Sequence, residues 1–387
     1  MKRPCAAVVL LAMLLALCAV PAQEADVVKT VVVPAVDAPA VLLMEKETGT
    51  ILFEENSHEK REPASVTKIM TLLLVMEAID SGKLSYEDRV TVSAHAASMG
   101  GSQVYMKEYE QMTVRDMLKA VAVVSANDGS VALAEHLAGS EEAFVAQMNA
   151  RAAQLGMADT CFVNCTGLPA AGHMTSAHDI ALMSRELILN HPDLRQFTTI
   201  WMDTIRDGQF QLSNTNKLVR FYEGATGLKT GSTDAARFCL SATAERDGME
   251  LIAVVLGAET SEKRFESAKS LLNFGFANYT LVDVRPGQAL PPVDVLMGVE
   301  ETVQPVVERC ARILVEKSAL DKVTTELKLA ADVEAPVEAG QKLGSMIVRV
   351  DGIEREVIPI VTDREVERLT IGGVFTRFLE LLFLKKR

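Results

Sequence analysis

The sequence is poor in aromatic residues, has a single tryptophan and no excess of positive charge, and contains neither a Cys-x-x-Cys nor a His-Glu-x-x-His motif. Acidic residues outnumber basic ones, 52 to 39, for a net charge of -13. A nucleic-acid binder needs a basic face to displace counterions, so that class is excluded. The same balance opposes general adhesion to anionic membrane, leaving only a short basic terminus for it. Without paired cysteines or a metalloprotease signature, dithiol and zinc-hydrolase chemistry drop out. The six histidines (58, 95, 136, 173, 178, 191) show no ligand spacing; His173 and His178 lie in and after a Gly-rich loop, where structural roles are expected. No metal or cofactor is expected. With 49% hydrophobic and 24% charged residues, the 387-residue chain has the composition of a globular protein with a sizeable core, not a disordered one. Its length allows two or three domains.

Long apolar runs are also scarce. The longest, residues 6–20, follows Lys2 and Arg3 and precedes Val20-Pro21-Ala22, which has small residues suited to cleavage. Residues 1–22 therefore read as a signal peptide, too short to span a bilayer comfortably, with an uncleaved anchor as the alternative. Bulky Leu17 before Cys18 argues against a lipoprotein. Losing Lys2 and Arg3 would take the net charge from -13 to -15. The chain is expected to be exported, to the outer face of the cytoplasmic membrane, the periplasm or the wall. Cys161, Cys165, Cys239 and Cys310 would remain. Cys161 and Cys165 flank an extended stretch and would lie about 13 Å apart, beyond disulfide reach. All four are expected to be free thiols serving as small packing residues.

Residues 23–40 read as a loose leader, and 41–54 as a hairpin about Glu47-Thr48-Gly49-Thr50. From Pro63 a helix begins that is apolar nearly all round except for Ser65, Thr67 and Lys68, the pattern of a buried helix, and it stops near Ser81-Gly82. From 113 to 190 the apolar spacing is helical. From 226 short strand-like runs appear, with Asp247-Gly248 as a hairpin turn; 261–277 return to helix. The expected fold class is α+β: an antiparallel sheet assembled from N- and C-terminal pieces, with helices between, across residues 23–278. Residues 279–365, short Val-rich stretches between Gly, Pro and Asp, predict a small all-β domain. Residues 366–387 predict an amphipathic helix, with Ile371, Val374, Phe375, Phe378, Leu379, Leu381 and Leu382 on one side and Lys385-Lys386-Arg387 at its end. It suits the membrane interface; docking on the β domain is the alternative.

Three motifs carry chemistry. Lys68 lies three residues after Ser65, on the same side of a buried helix, where desolvation lowers a lysine's pKa and lets it act as a base. A serine hydroxyl is a weak nucleophile until such a base takes its proton. Ser-x-x-Lys occurs by chance about once in a chain this long, and Ser57–Lys60 also fits, but in a charged loop where lysine stays solvated. Ser125-Ala126-Asn127 follows the apolar Val121–Val124 at a helix-to-loop break. Lys229-Thr230-Gly231 enters a strand, and Gly231 would let a substrate approach the backbone. Order and context together make coincidence a poor explanation.

These motifs resemble those of penicillin-binding proteins and serine β-lactamases. The chain more closely resembles the low-molecular-weight D-alanyl-D-alanine carboxypeptidases, through PASVTKIMT (63–71), GGSQVYM (100–106), TVRDMLKAVAVVSAND (113–128), FVNCTGLPAAGHMTSAHDIALMSREL (162–187), NTNKL (214–218), GLKTGST (227–233) and KRFESAKSLLNFGF (263–276). The resemblance implies that Ser65 attacks the carbonyl between the terminal D-alanines of a peptidoglycan stem peptide, and that Lys68 accepts its proton. Ser125 would relay a proton to the leaving D-alanine, and Asn127 would hold the substrate amide. Lys229, Thr230 and Arg264 would attend the terminal carboxylate. The N–H groups of Ser65 and Ser232 would form the oxyanion hole. β-Lactam antibiotics would acylate the same serine. The membrane surface would meet residues 366–387.

Arg237 departs from the family pattern, which usually reads Ala-Gly at 236–237, and Cys165 stands where proline is frequent. A β-lactamase would add a glutamate that activates deacylating water; Glu186 and Asn190 mimic that Glu-x-x-x-Asn pattern but fall at an ordinary helix end and read as structural. A non-catalytic wall-binding scaffold has only Arg237 in its favour.

Overall fold

We describe the protein from a computed structural model whose described residues are 33–309 and 311–384. The expected signal peptide, most of the leader, Cys310 and Lys385-Lys386-Arg387 lie outside them.

Five antiparallel strands form the central sheet. The hairpin β1 (Ala40–Glu45) and β2 (Ile51–Glu55) comes from the N-terminal side. The strands β3 (Ala225–Thr233), β4 (Arg237–Arg246) and β5 (Met249–Ala258) come from far along the chain. Their order is β2-β1-β5-β4-β3, so β1 pairs with β5 and β3 forms an edge. Strands β1 and β5 are buried along their whole length, because helices cover both faces. One face packs on α6 (Ser261–Asn278), through Val41, Leu43, Leu251 and Val255 meeting Phe265, Leu271 and Leu272. The other packs on a helical layer: α1 (Lys68–Asp80), α2 (Val114–Val124), α3 (Asn127–Ala138), α4 (Glu141–Gln154) and α5 (Ala177–Asn190). The expected α+β layout is the one found.

Helix α1 is buried almost all round, with Ile69, Met70, Leu72, Leu73, Val75 and Met76 fully enclosed. Each such side chain contributes roughly 1.5–3 kcal/mol. It stops at Ser81 because Gly82, at φ +72°, takes the left-handed conformation that ends a helix. Side-chain caps start the neighbouring helices: Thr113 accepts from Asp116 N–H, Ser176 from Asp179 N–H and Thr260 from Lys263 N–H. The helical stretch expected from 113 to 190 is interrupted between Gln154 and Ala177 by a long loop, whose role appears at the site. Cys161, Cys165 and Cys239 are free as expected, but Cys161 is exposed, so it is not a packing residue.

After α6 the chain forms short strands around two small apolar clusters of its own, one built on Ile313, Met346, Val348, Ile358 and Ile360, the other on Val293, Val303, Val337 and Val366. The C-terminal helix, α7 (Ile371–Leu384), starts five residues later than the sequence suggested, because Val366 pairs with Val337 in an isolated bridge. No described helix is long and apolar enough to cross a membrane.

Candidate active site

Ser65 does not lie on α1 itself. It sits in a 3₁₀ turn, Ala64–Thr67, that follows Pro63 and runs into the α-helix at Lys68. Side chains at i and i+3 nearly eclipse in 3₁₀ geometry, and Lys68 Nζ lies 3.0 Å from Ser65 Oγ. Lys68 is fully buried, and that desolvation lowers its pKa from 10.5 to about 7. Its ammonium has two further partners, Asn127 Oδ1 at 2.6 Å and the Thr166 carbonyl at 2.7 Å. A neutral Lys68 can donate to both acceptors and keep its lone pair for the Ser65 hydroxyl. That is the arrangement of a base beside its nucleophile.

Ser125 ends α2 in a left-handed conformation, φ 65°. Its Oγ is buried without a hydrogen-bond partner among the described residues. Asn127 begins α3, so the predicted helix-to-loop break is a kink between two helices. Asn127 spends both ends of its amide within the protein: Oδ1 on Lys68, and Nδ2 donating to Gly100 O at 2.7 Å. The neighbouring Asp128 is fully buried and accepts from the N–H groups of Val104 (3.0 Å), Met106 (3.1 Å) and Gly129 (2.9 Å). The loop carrying Gly100–Met106 is thereby fastened to the motif.

Strand β3 supplies the third wall. Lys229 is buried and donates to Thr230 O at 2.9 Å; burial, with the Lys68 and Arg264 charges adding, holds its pKa well below 10.5. Thr230 Oγ1 pairs with Thr215 Oγ1 at 2.6 Å, while Ser232 is exposed. A Cβ on Gly231 would lie 2.8 Å from Ser65 N and 2.9 Å from Val66 N. Glycine here lets the edge strand press against the turn that carries Ser65. Arg264 donates to the carbonyls of Gly231 and Cys239, both at 3.2 Å, and to Ser261 Oγ. Its Nε is buried without a partner among the described residues. It braces β3 against β4.

The loop after α4 closes the site from below. Asn164 Oδ1 accepts from the N–H groups of Thr166 and Gly167, turning the chain so that the Thr166 carbonyl reaches Lys68. Gly167 has φ +82°, and a Cβ there would stand 1.8 Å from Ala64 O. His173 is structural, as expected. Its Nδ1 accepts from Val163 N–H, so the other nitrogen carries the proton and donates to Thr67 Oγ1, whose hydroxyl donates to Ala64 O. Burial lowers the His173 pKa to about 4, keeping the ring neutral. The Thr166 and Gly100 carbonyls and the Asp128 carboxylate escaped the sequence reading. Backbone acceptors leave no side-chain signature, and the N–H groups that Asp128 binds at Val104 and Met106 lie more than twenty residues away in the chain.

Two other sequence features lie elsewhere. Glu186 accepts from Arg151 Nη2 at 2.6 Å, and the same guanidinium bonds Glu77 at 2.7 Å, so it is tied into an ion-pair network. Arg237 is exposed at the start of β4 with φ 57°, and its side chain has no hydrogen-bond or ion-pair partner among the described residues.

Comparisons with known proteins agree with this geometry. Residues 27–260 match the D-alanyl-D-alanine carboxypeptidase family model, and residues 284–368 match the C-terminal domain of penicillin-binding protein 5. The chain belongs to the D-alanyl-D-alanine carboxypeptidase family. It is 40% identical over 337 residues to the D-alanyl-D-alanine carboxypeptidase DacF of Bacillus subtilis, covering 86% of each. The crystal structure of penicillin-binding protein 5 from Haemophilus influenzae matches with a TM-score of 0.75 at 29% identity, over 87% of this chain and 99% of that one. Penicillin-binding protein D2 of Listeria monocytogenes, solved in its ampicillin-bound form, matches with a TM-score of 0.58 at 35% identity, over 62% and 98%.

Proposed function

We propose that the protein is an exported serine-type carboxypeptidase that removes the terminal D-alanine from peptidoglycan stem peptides ending in D-Ala-D-Ala. One observation carries the reading: a buried, low-pKa lysine 3.0 Å from the serine one 3₁₀ turn before it. Ser65 Oγ attacks the carbonyl between the two D-alanines while Lys68 takes its proton. The oxyanion forms between the N–H groups of Ser65 and Ser232. Ser125, whose hydroxyl has no partner among the described residues, passes the proton to the departing amine as the C–N bond breaks. Asn127 keeps Oδ1 on Lys68 and exchanges its Nδ2 bond to Gly100 O for the substrate amide carbonyl. Lys229 and Thr230, on the strand that Gly231 and Arg264 hold in place, receive the terminal carboxylate. Water then cleaves the ester and returns a proton to Ser65. β-Lactams enter by the same first step. Incubating the purified protein with diacetyl-Lys-D-Ala-D-Ala should release free D-alanine, and Ser65→Ala should release none; silence from the unmutated protein would overturn the reading.

The family works on the cell wall, outside the cytoplasm. We further propose that the C-terminal helix is a peripheral membrane anchor. Its support is that Ile371, Val374, Phe375, Phe378 and Leu382 are exposed, while Arg377 donates to Gly298 O. An apolar face turned to solvent suits a lipid interface. Removing residues 371–387 should move the protein from the membrane pellet to the supernatant; continued pelleting would refute the anchor.

A further inference from the structure

The only tryptophan of the chain is not in a core. Trp201 is half-buried, and its ring meets Phe221 edge-on, with centroids 5.8 Å apart at 71°. The Arg220 guanidinium lies over both rings, at 5.8 and 5.7 Å. Phe221 is 64% and Met202 62% exposed. Grouped exposed apolar side chains on a soluble protein mark a contact surface.

The patch is tied to the cleft. Trp201 O accepts from Asn214 N–H at 2.9 Å, and the next residue, Thr215, shares its hydroxyl with Thr230. Thr215 N–H also donates to Val123 O, two residues before Ser125. Asn216 then holds Gly227 O and leads into the helical turn Leu218–Phe221. Residues 214–221 therefore bridge the end of α2 just before Ser125 and the strand that carries Lys229 and Thr230, and their last residue, Phe221, meets Trp201.

Aromatic faces stack on the C–H faces of pyranose rings, and a guanidinium beside them donates to hydroxyl and acetamido oxygens. This chemistry fits a sugar chain better than an anionic lipid surface, which calls for a cluster of cations rather than one guanidinium shared by two rings. Continuity supplies the source. A stem peptide of a few residues, at up to about 3.5 Å each, keeps the sugar that bears it close to the cleft mouth. We propose that Trp201, Phe221 and Arg220 form a saccharide subsite that binds pyranose rings of the glycan strand whose stem peptide enters the Ser65 cleft. The proposal rests on the carboxypeptidase reading above, but its test does not.

The single tryptophan is its own reporter. Titrating the full chain with a peptide-free β-1,4-linked N-acetylglucosamine oligomer should shift Trp201 emission saturably. Phe221→Ala and Arg220→Ala should weaken that binding at least fivefold, with unchanged thermal midpoints. Both variants should keep D-alanine release from diacetyl-Lys-D-Ala-D-Ala within twofold, while KM rises severalfold for a disaccharide-linked stem peptide. Saturable emission without D-alanine release from either substrate would sink the carboxypeptidase reading and leave the subsite standing. No emission change, equal affinity in the variants, or a response to anionic phosphatidylglycerol vesicles and not to the oligosaccharide would overturn the subsite.

Discussion

Acylation of Ser65 should rise with pH through about 7, because the reactive form of the site carries a neutral Lys68. The magnitude follows from burial. At its ordinary value of 10.5, a lysine would be neutral in roughly one molecule in 3,000 at pH 7. With desolvation bringing Lys68 to about 7, half the molecules are ready, a gain of about a thousandfold. Between pH 6 and pH 8 the neutral fraction goes from about one in eleven to about ten in eleven, so the second-order rate of acylation should increase about tenfold. Stopped-flow labelling with a fluorescent penicillin, under single-turnover conditions from pH 5.5 to 9, reads this directly. Two results would refute the reasoning. One is a flat profile, meaning that Lys68 is not the base. The other is a rise centred near 10, meaning that the lysine is solvated.

The same burial has a stability signature. Folding favours neutral Lys68, so the unfolded chain holds one more proton between about 7 and 10.5, and stability should rise with pH across that window. At 1.36 kcal/mol per pKa unit, the full rise attributable to Lys68 is about 5 kcal/mol; urea midpoints of the protein and of Lys68→Met, compared at pH 7 and 9, should diverge, and parallel behaviour would contradict it. Gly167→Ala places a Cβ 1.8 Å from Ala64 O at φ +82°; it should cost about 3 kcal/mol or more in urea unfolding and abolish penicillin labelling, and normal labelling would show that the loop does not support the nucleophile. Arg237→Gly should raise stability by about 1 kcal/mol, because the φ of 57° strains a side chain but not glycine. An unchanged or lower thermal midpoint would mean that the guanidinium makes a stabilising contact.

The pairing of Ser65 with Lys68 was legible because a lysine inside an otherwise apolar segment is an anomaly that burial must explain. The strand nature of 225–233 and the hairpin at 41–54 were legible from turn residues between apolar runs. What stayed hidden depends on close packing between distant segments. The 3₁₀ turn at Ala64–Thr67 has no composition of its own that separates it from the start of an α-helix. Gly167 is required by the Ala64 carbonyl, about a hundred residues away, and nothing in its local sequence names that neighbour. Gly231 reads from sequence as room for substrate, and its packing against Ser65 N, set by the distant 3₁₀ turn, has no local signal. Arg264 was read toward a carboxylate, and its donors fall on the Gly231 and Cys239 carbonyls. Cys161 was expected inside, yet only its neighbour Phe162 is turned into the core.

The most direct measurement is the mass of the protein after exposure to benzylpenicillin, followed by peptide mapping. A single adduct on the peptide containing Ser65, absent from Ser65→Ala and strongly slowed in Lys68→Met, is the expected result. An adduct elsewhere, or one that forms at the same rate without the lysine, would contradict the account of Lys68 as the base for Ser65.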